Sequence, residues 1–148
     1  LAAGAVLSLE NVRELARQQI GVGNFNVSVD MVTRIAWIES HFDPSASRYE
    51  PHIGDASTGL MQTLLSTAQW LARDMGYSSY GVPSFNQLMA PQISLYFGAA
   101  YLNYLKRYRG QARSDEWVVR AYNGGPGFSR SATNAYWEKY KKAIGEVG

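Results

Sequence analysis

The chain has 148 residues, 46% hydrophobic and 13% aromatic, with 14 Lys and Arg against 12 Asp and Glu for a net charge of +2. This is the size and composition of one folded domain, residues 1–148, able to bury about 70% of its unfolded surface, and it argues against disorder. The absence of cysteine excludes disulfides and thiolate metal sites. So small a positive excess makes no case for nucleic acid, although it suits approach to an anionic polymer.

The apolar start, residues 1–9, is too short to cross a bilayer, which takes about 20 residues, so no membrane span is expected. It reads as the trimmed remnant of a longer protein or as a loosely ordered start. Leu9, Val12, Leu15, Ala16 and Ile20 recur at three- and four-residue steps and predict an amphipathic helix ended by Gly21 and Gly23. Asn26-Val27-Ser28 fits the glycosylation sequon, a pattern too common to carry weight. Ser28 is also placed to cap a second helix, with Val32, Ile35, Ala36 and Ile38 facing inward, that stops before Asp43-Pro44. From Pro44 to Thr58 the chain is rich in Ser, Gly, Pro and charge and reads as a long loop, a length that in compact domains tends to accompany function.

Ser66 and Gln69 suggest a capping box for a helix carrying Ala68, Leu71 and Met75 up to Gly76. Ser84 begins a short helical piece through Met89. Pro91 then opens the longest helix, which carries Ile93, Phe97, Ala100, Tyr101, Tyr104, Leu105 and Tyr108 before Gly110. Ser114 caps a helix bearing Trp117, Val118 and Ala121, and Thr133 caps a last one with Trp137, Tyr140 and Ile144. Nowhere does a two-residue alternation persist. The expected class is all-α, with little or no β-sheet.

Glu39 is the carboxylate of most interest. It follows the apolar run Ile35-Ala36-Trp37-Ile38 and directly precedes the long loop, where a cleft wall could begin. A carboxyl beside so much hydrocarbon is costly to ionise, which raises its pKa as a general acid near neutral pH requires. A Glu near a helix end is more often solvated or ion-paired, so position alone does not establish catalysis. In Gly59-Leu60-Met61-Gln62, Gly would let the backbone pass close to a ligand and Gln would offer a donor and an acceptor to a sugar amide. The same four residues could equally end a loop and fill core. Tyr122-Asn123-Gly124-Gly125 could be no more than a helix stop. Asn123-Gly124-Gly125-Pro126-Gly127 follows a helix instead of leading from a strand into one, so a phosphate cradle fails on context. His41, His52 and Asp55 lack a second pair of ligands, so no metal and no cofactor is expected. The serines lack a strand–turn–helix nucleophile elbow.

Taken in order, Glu39-Ser40, Asp43-Pro44, Gly59-Leu60-Met61-Gln62, Thr67-Ala68, Gly98-Ala99-Ala100-Tyr101-Leu102 and Ala121-Tyr122-Asn123-Gly124-Gly125 resemble the signature of the soluble-lytic-transglycosylase (SLT) domains of the lysozyme-like superfamily. The match runs from about Val32 to Tyr136. The resemblance implies a lysozyme-like helical domain with a substrate cleft. It also implies cleavage of the β-1,4 bond between N-acetylmuramic acid and N-acetylglucosamine in peptidoglycan, with Glu39 as the single acid and base and a 1,6-anhydro product. Gln62, Tyr122 and Asn123 match the family's cleft residues, and Met61 would lie along the cleft wall. Ser40 would support the acid's position or simply the helix end. Tyr136 is either a cleft residue or a packing residue.

Two departures from the pattern bear on the substrate. The stretch before Gly59 is longer than usual, so either Ser47 or Ser57 could take the part of the family's substrate-binding Ser. The familiar Glu-Thr before a Tyr-Val pair is absent, and Trp137 follows Tyr136. The long loop is similar to that of a divergent, plant-type branch. A cell-envelope or extracellular location is favoured, with a plant-type compartment left open, and a monomer is expected. Other readings remain: a lysozyme- or chitinase-type hydrolase using Glu39 and water, a glycan-binding module without turnover, and a structural helical domain.

Overall fold

The computed structural model describes residues 5–148; residues 1–4 of the apolar start lie outside the described part. The described residues form seven α-helices and a small antiparallel sheet. The helices are α1 (Leu9–Gly23), α2 (Val29–Ser40), α3 (Leu65–Arg73), α4 (Phe85–Leu88), α5 (Pro91–Lys106), α6 (Asp115–Gly124) and α7 (Asn134–Val147). Strands β1 (Ser47–Glu50), β2 (Asp55–Thr58) and β3 (Thr63–Leu64) pair in sequence order.

Helix α5 is the axis of the core. Pro91 sits in its first turn, and Ser94 through Ala100, Leu102 and Leu105 are all buried. A helix apolar nearly all round can only be stable with neighbours on every side, and α1, α2, α3, α4 and α6 supply them. Helix α7 packs on α2 and α6. Among the described residues no helix is long and apolar enough to cross a membrane.

Several boundaries differ from the sequence reading for identifiable reasons. Gly21 and Gly23 stay inside α1, and Asn24 ends it in left-handed geometry (φ 52°), with its N–H donating to Gly21 and Ile20 carbonyls. Pro44 to Thr58 is not a plain loop but contains the β1–β2 hairpin, in register from Ser47 opposite Thr58 to Glu50 opposite Asp55. Ser66 does not open a capping box, because it already lies inside α3. Its N–H and hydroxyl both donate to the Asp55 carboxylate, while Gln69 reaches away to the Pro83 carbonyl. Helix α3 also stops before Met75, which is 41% exposed. Helix α5 stops at Lys106, short of Tyr108. Thr133 makes no capping bond. Its hydroxyl instead donates to Ser129 and Arg130 carbonyls, and Ile144 faces solvent. The caps at Ser28, Ser84 and Ser114 form as expected, each hydroxyl accepting a backbone N–H three residues on.

Candidate active site

Helix α2 delivers Glu39 in its last turn. His41 and Phe42 follow, both in left-handed geometry (φ 52° and 65°). Such a conformation costs a non-glycine residue roughly 1–2 kcal/mol, and it reverses the chain at once. Burial of Phe42 against the Trp37 ring, at 5.1 Å between centroids, helps offset that cost. Ser40 Oγ is 3.0 Å from the Ala36 carbonyl and 2.8 Å from the Leu60 carbonyl. Ser40 therefore ties the end of α2 to the Gly59–Gln62 turn.

That turn is fixed against α5. Gly59 has φ +74°, and a side chain there would meet the Leu88 carbonyl at 2.7 Å. The close approach that requires glycine is thus to α4 and α5, not to a ligand. The Met61 N–H donates to Ser94 Oγ at 3.0 Å, and the Tyr122 hydroxyl donates to the Met61 carbonyl at 2.7 Å. Met61 itself is 0% exposed and lies behind the cleft wall, pressed on Gly98 of α5. Gln62 takes left-handed geometry (φ 52°). Its Nε2 donates to both the Ala46 and Gly59 carbonyls at 2.9 Å, which leaves Oε1 as the acceptor a sugar amide could use.

A cleft of about 600 Å³ opens over this frame. Glu39, Gln62, Tyr122 and Asn123 line it together, joined by Ser57 and Thr63 from the sheet and by Thr67, Tyr101 and Gly125. Ser57 is buried in its wall, whereas Ser47, its counterpart candidate, is exposed on β1 and does not line it. Tyr136 reaches Glu39 from α7, its hydroxyl donating to Glu39 Oε2 at 2.7 Å.

Burial is the main influence on Glu39 and raises its pKa above the ordinary 4.5; the Tyr136 hydrogen bond, Arg48 and Lys139 oppose it. Burial also pushes the phenols of Tyr122 and Tyr136 well up, with the Glu39 charge adding to the effect. Both therefore remain protonated donors. The arrangement offers a carboxylic acid whose proton is held to higher pH than that of a solvated carboxyl, with one oxygen already engaged by a phenol.

The cleft also contains residues to which the sequence assigned no place in a substrate site. The hairpin contributes Arg48, Glu50, His52 and Ile53. Glu50 is a second carboxylate in the cleft. Arg48 holds it at 2.9 Å, and Ser57 Oγ lies 3.4 Å away, all on Oε1. Its only signal in the sequence was a place in a charged segment. Ser94, which anchors Met61, was legible only as a lone hydroxyl in an apolar helix. Among the described residues no group of three His, Asp or Glu could hold a metal ion.

The family described as the transglycosylase SLT domain matches residues 19–144, and the chain belongs to that family. Similar solved structures include the 70 kDa soluble lytic transglycosylase of Escherichia coli, with TM-score 0.64 and 23% identity over 90% of this chain and 22% of that one. The 70 kDa soluble lytic transglycosylase in complex with bulgecin A gives TM-score 0.65 and 21% identity over 90% and 22%. An inactive glutamate-to-glutamine mutant of the lytic transglycosylase Slt from Pseudomonas aeruginosa gives 0.64 and 24% over 91% and 22%. The chain thus spans about a fifth of the length of these proteins. None of the curated proteins compared with the chain matches it.

Proposed function

We propose that the chain is a peptidoglycan lytic transglycosylase domain cleaving the β-1,4 bond between N-acetylmuramic acid and N-acetylglucosamine. The observation that carries this reading is Glu39, half-buried at the cleft with Tyr136 on Oε2. With Oε2 engaged, Oε1 is the oxygen that holds the acidic proton. Protonated Glu39 gives it to the leaving glycosidic oxygen as the bond to the anomeric carbon breaks. The substrate's own acetamido group supports the positive charge left there. Glu39, now ionised, takes the proton of the same sugar's C6 hydroxyl, whose oxygen closes a 1,6-anhydro ring. No water is consumed, and the acid is restored. Gln62 Oε1 and Asn123 would hold the sugar amides, while the Tyr122–Met61 bond steadies the wall behind them. Family membership supports the reaction class. That a glutamate-to-glutamine mutant of the Pseudomonas enzyme is inactive supports a glutamate as the key group.

Glu50 favours one alternative, a hydrolase. Glycosidases that admit water pair an acid with a second carboxylate, and Glu50 shares the cleft with Glu39. Arg48 and Ser57 both engage Glu50 Oε1 within the hairpin, which is why transglycosylation is preferred. Digestion of peptidoglycan, followed by mass measurement of the new ends, decides between them. Anhydro ends are one water lighter than reducing ends. Under our reading anhydro ends dominate, Glu50→Gln leaves them dominant, and Glu39→Gln slows cleavage by about 10²–10⁴-fold. Cleavage by Glu39→Gln at the parent's rate rejects both readings.

A further inference from the structure

Tyr136 lies in the first turn of α7, which has no side-chain cap. The rest of α7 is tied to α2. Arg34 Nη1 donates to the Tyr140 hydroxyl at 3.2 Å, Arg34 Nη2 to the Gly148 carbonyl at 2.7 Å, and Trp37 Nε1 to Glu146 Oε1 at 3.2 Å. The start of α7 is tied to α6 instead, through one side chain. Arg120 Nη1 donates to Asn134 Oδ1 at 2.8 Å, to Thr133 Oγ1 at 3.1 Å and to the Arg130 carbonyl at 2.8 Å. Its Nε donates to Glu116 Oε2 at 2.9 Å, which also pairs with Arg130 Nη2 at 3.2 Å. Arg120 is 3% exposed and does not line the cleft. Burying a guanidinium is costly unless partners answer it, and here the partners belong to the corner between the two helices. That corner packs tightly on the end of α6, where a side chain on Gly124 would meet Phe128 Cβ at 2.9 Å and Thr133 Cγ2 at 3.0 Å.

We propose that Arg120 is a positioning residue for the acid: it registers the first turn of α7 against α6 and so sets the Tyr136 hydroxyl on Glu39 Oε2. The proposal rests on the reading of Glu39 as the acid. Tyr136 follows Asn134 by two residues, so a shift of the first turn carries the phenol with it. A hydrogen bond of 2.7 Å has little room for such a shift. Lysine at position 120 keeps the charge, and with it any direct field on Glu39. It cannot reproduce the spacing of Nε and Nη1, so the link between Glu116 and Asn134 is lost. The other ionisable groups around Glu39 are Lys139 of α7, Tyr122 of α6 and Tyr101 of α5. The hairpin adds Arg48, Glu50 and His52. None of these is bonded to Arg120.

The test labels glutamate carboxyl groups with carbon-13 and follows the titration of Glu39 by NMR, its resonance being the one that Glu39→Gln removes. This reads the acid with no substrate present. The Tyr136 bond favours the carboxylate, so Arg120→Lys, which loosens that bond, should move the Glu39 midpoint up. The shift should vanish when the same change is made in Tyr136→Phe protein, because the two residues act as one unit. Titration in about 1 M salt screens the exposed Arg48 and Lys139 and isolates the phenol. Asn134→Ala removes one acceptor at the exposed end of the link. It should give a smaller shift of the same sign, which keeps the test valid if Arg120→Lys folds poorly. With peptidoglycan as substrate, Arg120→Lys should slow cleavage by about tenfold, and the alkaline limb of the rate profile should follow the midpoint. A midpoint unmoved in both variants, or a shift that persists undiminished in Tyr136→Phe protein, overturns the proposal and leaves Glu39 as the acid. A midpoint that moves while the rate profile stays at the parent's position supports the link from Arg120 to Tyr136 and rejects Glu39 as the acid.

Discussion

On one wall of the acid cleft, Glu39, Tyr122 and Tyr136 come from three helices and are locked by phenol hydrogen bonds of 2.7 Å to Glu39 and to the Met61 carbonyl. On another wall of the same cleft, the β1–β2 hairpin holds Arg48, His52 and Ile53 largely in solvent, with Arg48 74% exposed and Ile53 53% exposed. Where a proton must move, preorganisation lowers the reorganisation needed at the moment of reaction. Where substrate is merely met, the chain needs few fixed contacts. The two walls should therefore respond to substitution on different scales.

The largest response is expected at Glu39. Glu39→Gln should lose the about 10²–10⁴-fold that a positioned general acid contributes, yet fold more stably than the parent at neutral pH. The folded-state pKa lies above the ordinary 4.5 because burial disfavours the carboxylate. Between those two values the folded protein holds a proton that the unfolded chain has released, so stability falls as pH rises through that window. Glutamine never ionises and avoids the loss. Denaturant titrations at neutral pH and below 4.5 should show the advantage at the first and little at the second. An equal difference at both would mean that Glu39 is not desolvated.

Next comes Gly98, which has no contact with the cleft. A methyl added there would meet Met61 Cγ and Cε at 2.5 Å and Cβ at 2.8 Å, so Gly98→Ala should cost about 1–3 kcal/mol by overpacking. Because Met61 carries the carbonyl that Tyr122 grips, substrate affinity should fall as well. A variant as stable and as tight-binding as the parent would show that the helical wall yields easily, against the comparison.

The same division governs what could be read from the chain. Helix α5 was plain because its apolar residues recur with helical spacing between Pro91 and a glycine. Glu39, Gln62, Tyr122 and Asn123 were found in their ordered motifs, and the structure brings all four to one cleft. The hairpin was missed because Ser47-Arg48-Tyr49-Glu50 and Asp55-Ala56-Ser57-Thr58 show no alternation. Most of their side chains face water or line the cleft, so neither strand presents one apolar face. With the hairpin went Glu50 and Arg48. The Ser66 capping box failed for a related reason. The N-cap is Leu64, which makes no side-chain capping bond, and the Ser66 N–H goes instead to Asp55, eleven residues away and on the strand that local pattern could not see.

Tyr136→Phe tests the helical wall more finely. It removes the phenol that donates to Glu39, and such a bond to an ionised group contributes roughly 1.5–3 kcal/mol when the acceptor is charged. The phenol favours the carboxylate and so opposes the burial effect on Glu39. Without it the acid holds its proton to higher pH, and the alkaline limb of the rate profile should move upward. A limb that moves down or stays put would show that Tyr136 does not bond the ionised form.

Arg48→Gln gives the smallest effect and sets the two walls side by side. Arg48 also favours the Glu39 carboxylate, though less than Tyr136 does, so its loss should move the same limb the same way by less. Its ion pair with Glu50 is exposed on the arginine side, and such pairs contribute under about 1 kcal/mol to stability. Salt separates the mechanisms. An exposed guanidinium acting through solvent is screened at about 1 M salt, whereas a 2.7 Å phenol bond is not. In high salt the limb of Arg48→Gln should return to the parent's position while that of Tyr136→Phe stays displaced. If both displacements survive, the hairpin is coupled to the acid as directly as α7 is, and the contrast between the walls disappears.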